Sequence, residues 1–153
     1  MKDEFKINIS VPVDNQGYAL LQCSHCGDYF KVQPKDFEDE KVLNIHCPSC
    51  GLISANYLTE DAIELAMQKV ENAAMNLIHN QFKIMERKFK NGSLTFKSSK
   101  KPVMKSETPL QSGIDALAVV MFSCCERKAK IKPILKITGG YCLFCGVKNY
   151  EVE

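Results

Sequence analysis

Four cysteines near the start of the chain have the type and spacing of a metal site. Cys23 and Cys26 form one C-x-x-C pair, and Cys47 and Cys50 form another after twenty intervening residues. Thiolates are soft ligands that surround a tetrahedral zinc ion at about 2.3 Å, and two pairs at about this separation are typical of zinc sites. A glycine after each pair lets the backbone turn and point amide N–H groups at the sulfur atoms. Redox chemistry would use a single pair beside a βαβ unit, so the pattern favours metal binding.

The other four cysteines lie near the end of the chain. Cys142 and Cys145 form a third C-x-x-C pair followed by glycine, whereas Cys124 and Cys125 are adjacent. Adjacent residues of a strand point to opposite faces, so both can reach one metal only if the backbone turns sharply between them. Either both are ligands, which we favour, or one packs in the core and another group completes the site. Basic residues flank these cysteines in the sequence and would stabilise thiolates.

The remaining polar residues do not form a catalytic pattern. Cysteines fill all four positions of the first site, so His25 and His46 are each expected either to lie beside the ligands without binding the metal or to be exposed. His79 is expected on the surface of a helix. The chain has no phosphate-binding loop, dinucleotide fingerprint, nucleophile elbow or zinc-protease motif, and a four-cysteine site has no open coordination position. We therefore predict two structural Zn²⁺ ions and no enzyme activity.

Short strands must position the first four cysteines. Alternating apolar residues predict a strand over Phe5–Val13, which a turn joins to a second strand over Tyr18–Gln22. Tyr29–Val32 is predicted to be a strand, the acidic run 34–41 a solvated loop, and Val42–Ile45 another strand. Near the end of the chain, residues 115–122 form either a buried strand or the end of a short helix. The order of strands and cysteine pairs is that of a zinc ribbon.

A long helix is predicted over Glu60–Lys90, because neither proline nor glycine interrupts it. Acidic residues near its start favour the positive end of the helix dipole. One apolar stripe runs along it: Ile63, Met67, Val70, Ala74, Ile78, Phe82, Met85 and Phe89. A single stripe on a helix of about 45 Å needs a partner. This partner is either the chain's own ribbons or the same helix of a second subunit.

A basic segment follows the helix and continues into a region rich in serine, lysine and proline. Residues 83–105 include only one acidic residue, Glu86, and eight basic residues: Lys83, Arg87, Lys88, Lys90, Lys97, Lys100, Lys101 and Lys105. This segment, together with the C-terminal ribbon, could contact the phosphates of a nucleic acid. Aromatic residues are sparse here, and the chain has no tryptophan, so this interpretation is the alternative to a protein-binding role.

The net charge of +2 hides an uneven distribution. Residues 1–64 carry a net charge of −6 and residues 65–153 carry +8, which predicts an electrostatic dipole between the two halves. The start of the chain does not resemble a signal peptide, and no apolar run reaches the 18–20 residues of a membrane span. Eight cysteines are then expected as metal ligands in a reducing, cytoplasmic setting without a membrane partner.

The sequence resembles the zinc-ribbon superfamily, and in particular small bacterial proteins with two zinc ribbons. The resemblance rests on the matching ranges 11–18, 23–32, 47–51 and 141–146. It implies structural zinc on Cys23, Cys26, Cys47, Cys50, Cys142 and Cys145. Because ribbons bind DNA, RNA and proteins alike, it does not specify a function.

These observations predict an α+β protein in which one long helix joins two small antiparallel β zinc ribbons. The predicted parts are an N-terminal ribbon with a leading β-hairpin over 1–58, the helix over 59–92, a basic linker over 93–109 and a C-terminal ribbon over 110–153. We expect a non-enzymatic protein-interaction module that binds a protein partner or a second copy through helix 59–91.

Overall fold

The chain folds as an α+β protein, as predicted. A computed structural model describes residues 6–93, 95–97, 100–111, 113–114 and 116–153. In this part of the chain the strands are β1 (Ala19–Gln22), β2 (Tyr29–Val32), β3 (Ala118–Phe122), β4 (Arg127–Ile131), β5 (Gly140–Tyr141) and β6 (Lys148–Asn149). The helices are α1 (Pro34–Phe37), α2 (Glu60–Phe89) and α3 (Leu135–Thr138). None of these helices is both long and apolar enough to cross a membrane.

The described residues divide into two compact units. One unit contains both cysteine-bearing segments, Ser10–Asp61 and Leu110–Glu153. The other contains residues 6–9 together with Ala62–Pro109, and therefore most of α2. The two predicted ribbons thus belong to the same unit.

Strands from both ribbons form a single antiparallel sheet in the order β1-β2-β4-β3. Each outer pair is a hairpin, and the two hairpins meet where Lys31 of β2 lies opposite Lys130 of β4. This order has an approximate twofold axis between β2 and β4, which relates β1 to β3 and β2 to β4. The ribbons therefore pair as two halves of one sheet.

The core of this unit lies on one face of the shared sheet. Alternate strand residues from both hairpins are buried there, because successive side chains of a strand point to opposite faces. They include Leu21, Phe30, Val32, Val120, Phe122, Ala129 and Ile131. Cys23, Cys47 and Cys142 belong to the same buried cluster, so metal ligands and apolar residues share one core.

Helix α2 ends at Phe89, within one residue of the predicted end. In its own unit, the segment that follows the helix returns along one of its sides. Asn72 exchanges two hydrogen bonds with the backbone of Lys105, at 2.8 and 3.0 Å, and Gln68 accepts one from the amide of Thr108 at 3.1 Å. His79, predicted on the surface, is buried on this side.

Two predictions for the first ribbon are wrong. Over residues 6–13 the only pairing is one bridge, from Val13 to Ala19, so the predicted leading hairpin is reduced to that bridge. The predicted strand over Val42–Ile45 is absent, and an isolated bridge joins His46 to Ile53 instead. Apolar alternation occurs in both segments, but neither finds a partner strand.

Candidate metal centres

The first four cysteines come together as a sulfur tetrad. The Sγ atoms of Cys23, Cys26, Cys47 and Cys50 all lie within 4.8 Å of one another. Two separations across the tetrad are 3.7 Å, from Cys23 to Cys50, and 3.5 Å, from Cys26 to Cys47. A tetrahedral ion with zinc–sulfur bonds of about 2.3 Å requires sulfur–sulfur edges of about 3.8 Å. The four residues fit such an ion closely.

Each cysteine pair of this tetrad lies in the same kind of turn, which we call a knuckle. In the first knuckle the amide of Gly27 donates to the carbonyl of Cys23 at 2.9 Å, and the amide of Cys23 donates to the carbonyl of Asp28 at 2.9 Å. The glycine has a φ of 77°, which residues with a side chain rarely adopt. Cys47 makes the equivalent bonds with Gly51 and Leu52.

The other four cysteines form a second tetrad. The Sγ atoms of Cys124, Cys125, Cys142 and Cys145 also lie within 4.8 Å of one another, with 3.4 Å between those of Cys145 and Cys124. Cys142 and Cys145 lie in a third knuckle, in which Gly146 donates to the carbonyl of Cys142 at 2.8 Å. This tetrad is also able to hold a metal ion.

Cys124 and Cys125 reach one site because they lie in a turn. The amide of Glu126 donates to the carbonyl of Phe122 at 2.8 Å, and Glu126 has a φ of 52°. Phe122 pairs with Arg127 across the hairpin. The backbone from Phe122 to Arg127 thus repeats the knuckle from Cys23 to Asp28.

This correspondence explains the missing C-x-x-C. Phe122 occupies the position of the first knuckle cysteine and is fully buried in the core. Cys125 takes the position of the second knuckle cysteine, and Cys124, one residue earlier, supplies the remaining sulfur. The side-chain amide of Asn149 donates to Cys124 Sγ at 3.5 Å. Aligning Phe122–Glu126 with the first knuckle in the sequence could have revealed this substitution.

The pKa values of several thiols are shifted in different directions, and a bound cation would favour the thiolate form of all of them. Burial favours a raised pKa for Cys23, but hydrogen bonds from the amides of Cys26 and His25 outweigh it and lower the pKa to about 6. Burial raises the pKa of Cys125 to about 11 and raises the pKa of Cys47 and Cys142 further. A divalent ion among the sulfurs favours the thiolate form at every position. The donor sets therefore fit a closed, four-thiolate site.

The two tetrads support each other through the knuckles of Cys47 and Cys142. The amide of His46 donates to the carbonyl of Leu143 at 2.8 Å, and the amide of Tyr141 donates to the carbonyl of Pro48 at 2.9 Å. In both cases the residue before one knuckle binds the residue after the first cysteine of the other knuckle. The same twofold relation that orders the strands therefore also relates these two knuckles.

Ring contacts between the same two knuckles are reciprocal in the same way as these hydrogen bonds. A Cβ atom on Gly51 would lie 2.8 Å from the ring of Tyr141, and a Cβ atom on Gly146 would lie 2.8 Å from the ring of His46. His46 thus packs beside the second tetrad, and its Nδ1 lies 3.3 Å from the carbonyl oxygen of Leu143. His25 Nε2 lies 3.1 Å from the carbonyl oxygen of Ile53. Neither histidine belongs to a sulfur tetrad.

Ion pairs join the two halves of the sheet, and no local sequence pattern predicts them. Arg127 of β4 binds Asp36 at 2.9 Å and Asp39 at 2.5 Å. Asp36 is buried and Pro34–Phe37 forms α1, so the prediction of a solvated acidic loop over 34–41 is correct only in part, for the other residues of the run, most of which are exposed. Lys132 binds Asp28. Basic residues of the second ribbon therefore neutralise acidic residues of the first, where the sequence predicted two separated charges.

A carboxylate that is only 10% exposed lies at the junction of the hairpins. Asp14 Oδ2 accepts from Lys31 at 3.1 Å and from Lys130 at 2.6 Å, and Asp14 Oδ1 accepts from the amides of Gln16 and Tyr18. Lys31 and Lys130 are the residues that face each other across β2 and β4. One carboxylate thus separates two like charges close to the twofold axis.

No family model, curated protein or solved structure matched the chain in our comparisons. The interpretation of the two tetrads therefore rests on their own geometry and donor chemistry.

Proposed function

We propose that the protein is a non-enzymatic zinc-binding interaction module of the zinc-ribbon type. One structural Zn²⁺ ion in each tetrad would stabilise the shared sheet. The sulfur separations of 3.4–3.7 Å support this assignment. Tetrahedral sites with four thiolates suit zinc or iron, and the resemblance to zinc ribbons favours zinc. Each ion would be bound by four sulfurs of this chain, which leaves no coordination position for a substrate.

The observation that carries the proposed interaction is an exposed apolar face on α2. Ten large apolar side chains of this helix are 40–61% exposed. Seven of them are residues of the predicted stripe: Ile63, Met67, Val70, Ile78, Phe82, Met85 and Phe89. The returning segment binds Gln68 and Asn72 instead, which lie on another side of the helix. Among the described residues Phe96 packs against Phe82 of the stripe, but the seven stripe residues remain 40–61% exposed and can meet a partner.

The exposed area is large enough for a stable complex. Residues of this size present on the order of 200 Å² when fully exposed, so ten at about half exposure leave on the order of 1,000 Å². A stable interface buries about 800 Å² on each partner, and the largest apolar patch of a typical monomer is about 300–600 Å². The face is therefore larger than a monomer normally exposes.

We propose that the partner is a second copy of the chain, with the two α2 helices antiparallel. A twofold pair uses the same stripe on both copies, so each apolar residue finds an apolar neighbour. The ends of the helix also differ in charge: Glu60 and Asp61 lie in the first turn, and Arg87 and Lys88 lie in the last. An antiparallel arrangement places these unlike ends together.

The alternative from the sequence is nucleic-acid binding through the basic segment 83–105 and the second ribbon, and the part assigned to the second ribbon has less support. Arg127, Lys130 and Lys132 of that ribbon bind carboxylates of the same unit. A phosphate would have to displace those carboxylates before it could bind. By contrast, the basic residues Lys83, Arg87 and Lys90 near the end of α2 form no ion pairs with the described residues.

Metal analysis and native mass spectrometry together test the proposal. We expect about two zinc atoms per chain and a species of twice the chain mass of 17.2 kDa. Val70→Glu combined with Ile78→Glu should convert the dimer to a monomer, because each places charges in the stripe. Leu43→Glu is the control, since Leu43 is an exposed apolar residue of the other unit.

Three results would contradict parts of the proposal. Iron in place of zinc would overturn the metal assignment. A wild-type monomer at high micromolar concentration would exclude the second copy as the partner. A dimer that survives the double substitution would place the interface elsewhere.

A further inference from the structure

A cavity of about 390 Å³ lies between the end of α2 and the residues that follow it. Its lining residues are Lys83, Glu86, Arg87, Lys90, Thr95, Phe96 and Lys97. Positions 83, 87 and 90 are separated by four and three residues, so they lie on one side of the helix. The cavity falls within the range of about 300–1,000 Å³ that is usual for small-ligand sites.

The charges around the cavity are strongly unbalanced. Four basic side chains and one acidic side chain line it. Within the part of the chain that the structure describes, Lys83, Arg87, Lys90 and Lys97 form no ion pairs. Basic residues elsewhere differ: Lys105 binds Glu71, and Lys31, Arg127, Lys130 and Lys132 bind aspartates.

The helix dipole explains only part of this cluster. Cations near a helix C-terminus gain about 0.3–1 kcal/mol, and the effect fades beyond the last turn. This accounts for Arg87, but Lys83 lies more than one turn before Phe89 and Lys97 lies outside the helix. Four cations gathered around a concave surface with a single carboxylate repel one another, and a bound anion would relieve that repulsion.

Phe96 adds an aromatic surface to the charged site. Its ring packs against Phe82 at a centroid separation of 5.9 Å, and Phe96 remains 41% exposed. A ring that packs against another ring and still remains partly exposed can provide a stacking surface for a nucleobase. Cations beside an exposed aromatic ring suit a ligand that carries both phosphate and a planar base.

We propose that this cavity binds a nucleotide, with its phosphate on Lys83, Arg87 and Lys97 and its base against Phe96. The nucleotide is either free or part of a single strand, since both present the same two groups. The site lies in the unit of α2 and uses none of the tetrad cysteines, and it borders the apolar stripe only where Phe96 packs against Phe82. Of the eight basic residues in the predicted nucleic-acid segment, the cavity selects Lys83, Arg87, Lys90 and Lys97.

Fluorescence anisotropy of the full chain with a labelled single-stranded decanucleotide tests this site. Arg87→Glu should weaken binding by about tenfold or more, since a hydrogen bond to a charged group contributes about 1.5–3 kcal/mol. Lys88→Glu is the control, because it makes the same charge change one residue away but does not line the cavity. With three phosphate contacts, from Lys83, Arg87 and Lys97, the logarithm of affinity should fall against the logarithm of the salt concentration with a slope of about −2.1.

Competition distinguishes the sources of the phosphate and tests the role of the ring. If adenosine monophosphate displaces the oligonucleotide at a concentration similar to that of the oligonucleotide itself, the natural ligand is a free nucleotide. If a much higher concentration is needed, the ligand is a single strand. Either result supports the site. Phe96→Ala should weaken both ligands while leaving inorganic phosphate unaffected.

The proposal is overturned if no probe binds at low salt, or if Lys88→Glu weakens binding as much as Arg87→Glu. It is also overturned if inorganic phosphate competes as well as the nucleotide, because the ring would then have no role. Circular dichroism of each variant distinguishes a lost site from a lost helix.

Discussion

Removal of the charge on Asp14 should destabilise the sheet more than any other single change among its ion pairs. The carboxylate is 10% exposed, Lys31 is 1% exposed and Lys130 is 12% exposed. Asp14→Asn keeps the size of the side chain and an oxygen that can accept from the amides of Gln16 and Tyr18. It leaves two buried ammonium groups opposite each other without an anion between them.

The loss of stability expected for Asp14→Asn follows from the burial of the charges that remain. Loss of one partner of a buried ion pair costs about 3–5 kcal/mol, because the remaining charge stays desolvated. Like charges directly opposite on neighbouring strands add about 0.2–1 kcal/mol. We therefore expect Asp14→Asn to lower the free energy of unfolding by about 3–5 kcal/mol.

Asp28→Asn provides a matched control. Asp28 also binds a lysine of β4, but its side chain is 27% exposed and that of Lys132 is 43% exposed. Pairs with this exposure contribute about 1 kcal/mol or less. Urea unfolding of both zinc-loaded variants at pH 7 measures the difference. Equal losses for the two substitutions would refute the reasoning, because burial would then not determine the cost.

The effect should also depend on pH. Burial alone would raise the pKa of Asp14, but hydrogen bonds from Lys130, from the Tyr18 amide and from Lys31 hold it well below its usual range. The folded-state pKa is thus below the unfolded value of about 3.9. The stabilisation is fully present above that value and is lost as pH falls towards the folded pKa. The difference between wild type and Asp14→Asn should therefore shrink below about pH 4.

Two further predictions concern the knuckles. Gly51→Ala and Gly146→Ala should each cost about 1–3 kcal/mol more than Gly27→Ala in urea unfolding: all three glycines have φ of 74–77°, but a Cβ atom meets a ring at 2.8 Å only at the first two. Equal costs would show that the ring contacts contribute nothing. Cys124→Ser and Cys125→Ser should each reduce bound zinc from about two atoms to about one, as measured by metal analysis. Two atoms retained in either variant would remove that residue from the ligand set.

Local sequence signals predicted the elements whose stability is local. The bounds of α2 and β2 follow from residues inside them: an uninterrupted helical sequence in one case and a short β-branched and aromatic run in the other. The strand over Phe5–Val13 shows the limit of this reasoning. Its alternation is real, yet a strand also requires a partner, and the alternation does not specify one.

Long-range pairings explain the remaining errors. The acidic run over 34–41 looks solvated because its partner, Arg127, is 88 residues beyond Asp39. The pairing of the two hairpins in one sheet could not be predicted either, because they are nearly 100 residues apart. Their similarity in sequence is also reduced, because Phe122 replaces a cysteine. The eight cysteines could be grouped from the sequence because metal-ligand spacing is itself a local signal.

The exchange between knuckles links the two metal sites energetically. His46 and Tyr141 donate their amides across the twofold axis to backbone that each opposite metal would hold in place. A knuckle that loses its ion loses the constraint on its turn and thereby the position of the carbonyl that its neighbour binds. The β2–β4 junction, held by Asp14, couples the same two halves a second time. The ribbons should therefore unfold as one cooperative unit, so that removing either metal destabilises both sites.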